Sequence, residues 1–157
     1  MRIALACDHG GLFLKDTVKK ALSEAGCEVI DCGTDSAASV DYADFALKAL
    51  KAFKQDRCDR IVLLCGTGIG MSMCANRVRG VRGTLCHDAF TVRMARQHND
   101  SNCLILGGRT TGPAVAEEIV KIWLATPFEG GRHQARLDKI DRLTTELMES
   151  HFIERNQ

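Results

Sequence analysis

Five short apolar runs recur along the chain, and a segment with helical periodicity follows each. The runs are RIALAC (2–7), CEVIDCG (27–33), RIVLLC (60–65), VRGTLC (81–86) and NCLILGG (102–108). Between the first two, LFLKDTVKKALSEAG (12–26) sets Leu14, Val18, Ala21, Leu22 and Ala25 on one helical face and ends at Gly26. YADFALKALKAFK (42–54), GMSMCANRVR (70–79), DAFTVRMARQHN (88–99) and GPAVAEEIVKIWLA (112–125) repeat the pattern. In the last of these, Pro113 sits near the helix start, where its missing N–H costs nothing. Apolar strands with a helix between each pair imply parallel pairing, because parallel strands need a long crossover and are covered on both faces. The expected class is α/β: a single domain with a five-stranded parallel sheet, helices on both faces and an extra C-terminal helix.

That extra helix spans about 134–150, where Leu137, Ile140, Leu143, Leu147 and Met148 make an apolar stripe. The stripe either packs on its own domain or meets a second subunit. The chain's 157 residues suit one domain over 1–157 with a proper core. A net charge of +1 carries no electrostatic footprint for nucleic acid. No apolar run approaches the roughly 20 residues that a membrane helix needs. Eight cysteines could form a disulfide framework, but Cys7, Cys27, Cys32, Cys65, Cys86 and Cys103 lie in or beside the apolar runs, as small buried residues do, and MRIALACDHGG turns polar too early for a signal-peptide core, so a reducing, cytoplasmic setting is expected.

Sheets of this kind take ligands at the carboxyl ends of their strands. The loop CGTGIG (65–70) stands there, where the third strand hands over to a helix, and its small residues let backbone N–H groups face an anion. It lacks the Gly-Lys-Ser/Thr of a P-loop. Its G-x-G-x-G follows the third strand, so it is a poor dinucleotide fingerprint. DHGG (8–11), HD (87–88) and GGR (107–109) follow other strands, and RQHND (96–100) and GGRHQAR (130–136) are read at the same edge. Arg132 and Arg136, four apart, share a helical face; they form either a solvated basic face or a phosphate clamp beside His133. No C-x-x-C links the cysteines and no H-x-x-x-H links the histidines, so neither a metal nor another cofactor is expected.

From Met1 to about Thr144 the chain resembles the ribose 5-phosphate isomerase B family, within the group that also holds galactose 6-phosphate and allose 6-phosphate isomerases. CDHGG, DCGT, DYADFA, CGTGIGMSMCAN, RQHNDSN, LGGR and EGGRHQARL carry the likeness; in this order they are highly specific together. The resemblance implies a Rossmann-like subunit and a homodimer or homotetramer with active sites shared between subunits. It also implies metal-free interconversion of D-ribose 5-phosphate and D-ribulose 5-phosphate. By the same resemblance Cys65 is the base that moves a proton between C1 and C2, and His98 is the acid that opens the furanose ring, helped by Asp8. The amides of Gly66, Thr67, Gly68, Ile69 and Gly70, with the Thr67 hydroxyl, form the enediolate hole. His9, Asn99, Arg109, Arg132 and Arg136 are substrate and phosphate ligands, and Tyr42 lies near the site.

Some relatives lack the cysteine and use a glutamate six positions further on. Met71 stands there and cannot act as a base. Ala43 and Arg77 replace a common proline and lysine, with minor consequence. The chemistry fits the loop: aldose–ketose isomerisation needs a base beside the carbon acid and donors for the oxyanion, and a thiol at a helix N-terminus is readily deprotonated. Three rival expectations remain: a hexose 6-phosphate isomerase, a non-catalytic sugar-phosphate-binding subunit, and a nucleotide-binding oxidoreductase. The fingerprint of the last is missing.

Overall fold

The computed structural model describes residues 1–154, with side chains as far as Met148. Its elements alternate as the apolar runs predict: β1 (Arg2–Cys7), α1 (Leu12–Glu24), β2 (Glu28–Asp31), α2 (Tyr42–Lys54), β3 (Arg60–Cys65), α3 (Ile69–Ala75), β4 (Gly83–Leu85), α4 (Ala89–Asn99), β5 (Cys103–Gly107), α5 (Pro113–Ala125) and α6 (Arg132–Glu154). Every ladder is parallel, in the order β2-β1-β3-β5-β4. From β1 the chain steps one way to β2 and the other way to β3. The crevice at a topological switch point therefore opens between the loops after β1 and β3.

Both faces of the central strands are buried, and each face has its own core. Ile3, Leu5, Val62, Leu64, Leu104 and Leu106 pack under α1, α4 and α5 with the fully buried Trp123. Ala4, Ala6, Ile61, Leu63, Cys65 and Ile105 face α2 and α3. Each of these leucines and isoleucines contributes about 1.5–3 kcal/mol by leaving water, so β1, β3 and β5 form a rigid platform.

Some boundaries differ from the periodic pattern. Ala25 caps the end of α1 and is exposed, because the chain turns there into Gly26 at φ 75°. Lys15 takes a buried place on α1 instead: its ammonium donates to Thr34 O and pairs with Asp31 and Asp35. α3 and β4 are shorter than 70–79 and 81–86. The Asn76 amide, just after α3, donates to Gly83 O at 2.9 Å and accepts from Gly83 N at 3.0 Å. One side chain thus ends the helix and ties down a short edge strand. Along α6, Leu137 is half-buried, while Ile140, Leu143, Leu147 and Met148 stay exposed.

Candidate active site

The carboxyl edge gathers Asp8, His9, Tyr42, the Cys65–Gly70 loop and Arg109. β1 and β3 are hydrogen-bonded neighbours, with Cys7 opposite Leu64, so their loops leave the sheet side by side. Asp8 N donates to Leu64 O, and Asp8 Oδ1 accepts from Gly11 N at 2.9 Å, which fixes a carboxyl group that is only 6 % exposed. The loops touch closely: a Cβ on Gly10 would lie 2.8 Å from Gly66 N. His9 Nδ1 accepts from Val40 N at 3.2 Å, which leaves its other ring nitrogen available.

Cys65 ends β3 and is buried, yet the chain turns immediately so that its sulfur meets the loop amides. Gly68 N donates to Cys65 Sγ at 3.1 Å. Such a bond strengthens when the sulfur bears negative charge. The geometry requires glycine at 68: φ is +82°, and a Cβ would lie 2.3 Å from Leu85 Cδ1. Tyr42 lies over Gly70, where a Cβ would come within 2.7 Å of the ring, and Arg109 lies over Gly66 at ordinary contact distance. The Thr67 hydroxyl accepts a long bond from Ile69 N. Met71 is fully buried beneath this loop.

The other cysteines differ in environment. Burial pushes Cys7 and Cys86 up to about 11. It also raises Cys32, Cys58, Cys74 and Cys103. All eight are free thiols.

His98, Asn99, Arg132 and Arg136 do not join this group. Helices in a parallel sheet run back against the strands, so α4 starts at the carboxyl edge and ends at the amino edge. Expecting residues 96–100 and 130–136 at the carboxyl edge is therefore wrong. Strands of five or six residues at ~3.3 Å each separate the two edges by roughly 15–20 Å. His98 and Asn99 fill the last turn of α4, just before β5 begins, and α6 starts beside them. Glu129 N donates to Gln97 O at 3.0 Å, docking the loop ahead of α6 on the end of α4. The His98 and His133 rings stack with centroids 4.2 Å apart and planes 6° apart. Arg132 Nε donates to His133 Nε2 at 3.4 Å. Burial, with neighbouring His98 and Arg132, holds His133 below the ordinary imidazole value.

Glu129 was not singled out by the sequence, yet it lies 3.6 Å from His133 Nε2 and 4.0 Å from His98 Nε2. Local spacing cannot reveal a cluster whose members are 31 residues apart; only the direction of α4 brings them together. Elsewhere among the described residues, no helix is long and apolar enough to cross a membrane.

The sequence profile of the Ribose/Galactose Isomerase family matches residues 3–140. A putative sugar phosphate isomerase of Bacillus subtilis is 48 % identical over 141 residues, covering 89 % of this chain and 95 % of its own. Ribose-5-phosphate isomerase B of Escherichia coli is 42 % identical, covering 88 % of this chain and 93 % of its own. The solved ribose-5-phosphate isomerase B of Clostridium thermocellum superposes with a TM-score of 0.90 at 45 % identity, covering 94 % of this chain and 99 % of that one.

Proposed function

The chain belongs to the ribose/galactose isomerase family, and from that membership we propose that it interconverts D-ribose 5-phosphate and D-ribulose 5-phosphate by proton transfer. It is a sugar-phosphate isomerase by family; the substrate and the residue roles are our reading. The observation that carries the roles is the hydrogen bond from Gly68 N to Cys65 Sγ at the mouth of the glycine loop.

In this reading His98 delivers a proton to the ring oxygen as the bond from C1 to that oxygen breaks, and Asp8 helps by taking the proton of the O1 hydroxyl, which becomes the C1 carbonyl. The Cys65 thiolate then removes the proton from C2. The C2–H electron pair becomes the C1–C2 double bond of an enediolate, and the negative charge on O1 meets the amides of residues 66–70 and the Thr67 hydroxyl. Transfer of the O2 hydroxyl proton to O1 and return of the carbon-bound proton to C1, as C2=O forms, give the ketose. His9, Asn99, Arg109, Arg132 and Arg136 hold hydroxyls and phosphate, so that binding far from the reacting carbons orients them.

Cys65 and His98 cannot reach one substrate within a single chain, so two copies build each site between them. A homodimer, or a pair of dimers, brings the amino edge of one copy to the carboxyl edge of the other. The exposed α6 stripe of Ile140, Leu143, Leu147 and Met148 supplies apolar area for such a contact. Eight free thiols suit a reducing cytoplasm.

A coupled assay with ribose 5-phosphate, allose 6-phosphate and galactose 6-phosphate side by side tests the substrate. The expected result is highest kcat/KM on the pentose. A hexose preference would move the protein to another branch of its family, and no turnover of any of the three would point to a binding subunit.

A further inference from the structure

We propose that His98, Glu129 and His133 form a zinc-class metal site at the amino edge, and that filling it arrests turnover. The arrest rests on the acid role read for His98; the metal site does not.

The three donor atoms, one from each side chain, lie within 4.8 Å of one another. The carboxylate is 3.6 Å from one imidazole nitrogen and 4.0 Å from the other. Tetrahedral zinc with bonds of about 2.0–2.1 Å sets its ligands roughly 3.3 Å apart. Imidazole nitrogens bind through lone pairs in the ring plane, so the partly exposed His98 ring turns out of its parallel stack on the buried His133 to share an ion with it. Two imidazoles and one carboxylate make a donor set that suits zinc and leaves a fourth position for water; magnesium prefers oxygen ligands and retains its waters.

Two of the three ligands are already anchored. Glu129 is fixed by its backbone bond to Gln97 O. His133 is buried. Its Nε2 accepts from Arg132 Nε, so that nitrogen carries a lone pair, directed at Arg132 in this state. A bound ion takes the place of this long hydrogen bond, and the exposed Arg132 turns to solvent. The side chains of His98 and Glu129 are 36 % and 47 % exposed, which gives the ion an entry path. Arg132 and Arg136 oppose a cation, so the affinity expected is micromolar and not that of a structural zinc. Once ligated to metal, His98 Nε2 has no proton to give.

The test titrates zinc chloride into the chelator-treated, full-length protein at neutral pH, by calorimetry, for the parent, Glu129→Gln and His133→Gln. Cobalt(II) spectra and thermal melting accompany it. The expected result is one zinc per chain, at least tenfold weaker in each folded variant, and a cobalt adduct without a sulfur charge-transfer band. The parent's activity falls along the same binding curve, and Glu129→Gln resists. Failure of the parent to bind, undiminished binding in both variants, or a cobalt–thiolate band would each overturn the site. Glu129 is exposed, so its variant keeps the test decisive if His133→Gln does not fold. Binding as expected with turnover intact would overturn the arrest, and with it the acid role of His98, while leaving the metal site in place.

Discussion

The two edges of the sheet hold two halves of one proposed site, and they are built by different means. At the carboxyl edge the backbone does the positioning. β1 and β3 leave the sheet as hydrogen-bonded neighbours, glycines bring Gly10 against Gly66, and Gly68 at positive φ aims an amide at Cys65. At the amino edge side chains do it: stacked histidines, an arginine and a glutamate meet where α4 ends and α6 begins. The first half is rigid and carries the proposed base and oxyanion donors, while the proposed ring-opening acid, His98, lies in the second. The second carries cations and long side chains, which suit a phosphate and a ring oxygen. The difference teaches that neither half is a site alone. On the proposed reading, a chain with both halves formed still needs a second copy.

The largest expected effect lies at the carboxyl edge. Cys65→Ala should lower kcat by roughly 10²–10⁴-fold, the usual worth of a positioned acid–base group, while KM stays within a few-fold. Brief alkylation followed by peptide mapping sharpens the point. Burial holds Cys7 and Cys86 at about 11 and raises four more thiols, so Cys65 should react ahead of those six, and bound sugar phosphate should protect it. Near-parental turnover in the mutant would leave the rigid half without its base, because Met71 is buried and carries no titratable group.

A smaller effect, of the other kind, is expected for the proposed phosphate ligands of the amino edge. Arg136→Ala should raise KM by roughly ten- to a hundredfold, the worth of one charge-assisted hydrogen bond, with kcat little changed. Inorganic phosphate should inhibit this variant correspondingly less. A fall in kcat at constant KM would mean that Arg136 acts in the chemical step and not in holding the phosphate.

The smallest effect concerns how the rigid half is held. Gly68→Ala places a Cβ against Leu85 and forces an alanine to φ +82°, so it should cost about 1–3 kcal/mol of unfolding free energy in denaturant titration. Gly130→Ala, at φ +65° in open space by the amino-edge loop, carries the backbone strain without the clash and should cost less. Equal losses would mean that the packing against Leu85 contributes nothing.

Much of the fold can be read from the apolar runs. β1, α2 and β3 begin and end where the pattern places them, since buried strands and a strongly amphipathic helix leave little choice. The pattern runs α3 and β4 too long, because Asn76 stands where α3 stops and its amide holds Gly83, where β4 starts, and no periodicity reports it. Lys15 gave no sign of burial, because its partners Asp31 and Asp35 come from the far side of α1 in sequence. Strand order is not written in the pattern at all. The placement of His98 was nonetheless within reach: a helix that returns between parallel strands must end at the amino edge, and that alone separates it from Cys65. Glu129 joins His98 through this same reversal, so it was missed with it.

The claim that each site joins two chains is tested most directly by mixing inactive partners. Cys65→Ala and His98→Asn chains, each expected to be roughly 10²–10⁴-fold slow, are refolded together in equal amounts and assayed on ribose 5-phosphate. Half of randomly paired dimers are then mixed, and each mixed dimer holds one intact site, so activity should return to about a quarter of the parent's. A mixture no more active than its two components would show that Cys65 and His98 serve the substrate from one chain, and would contradict the account.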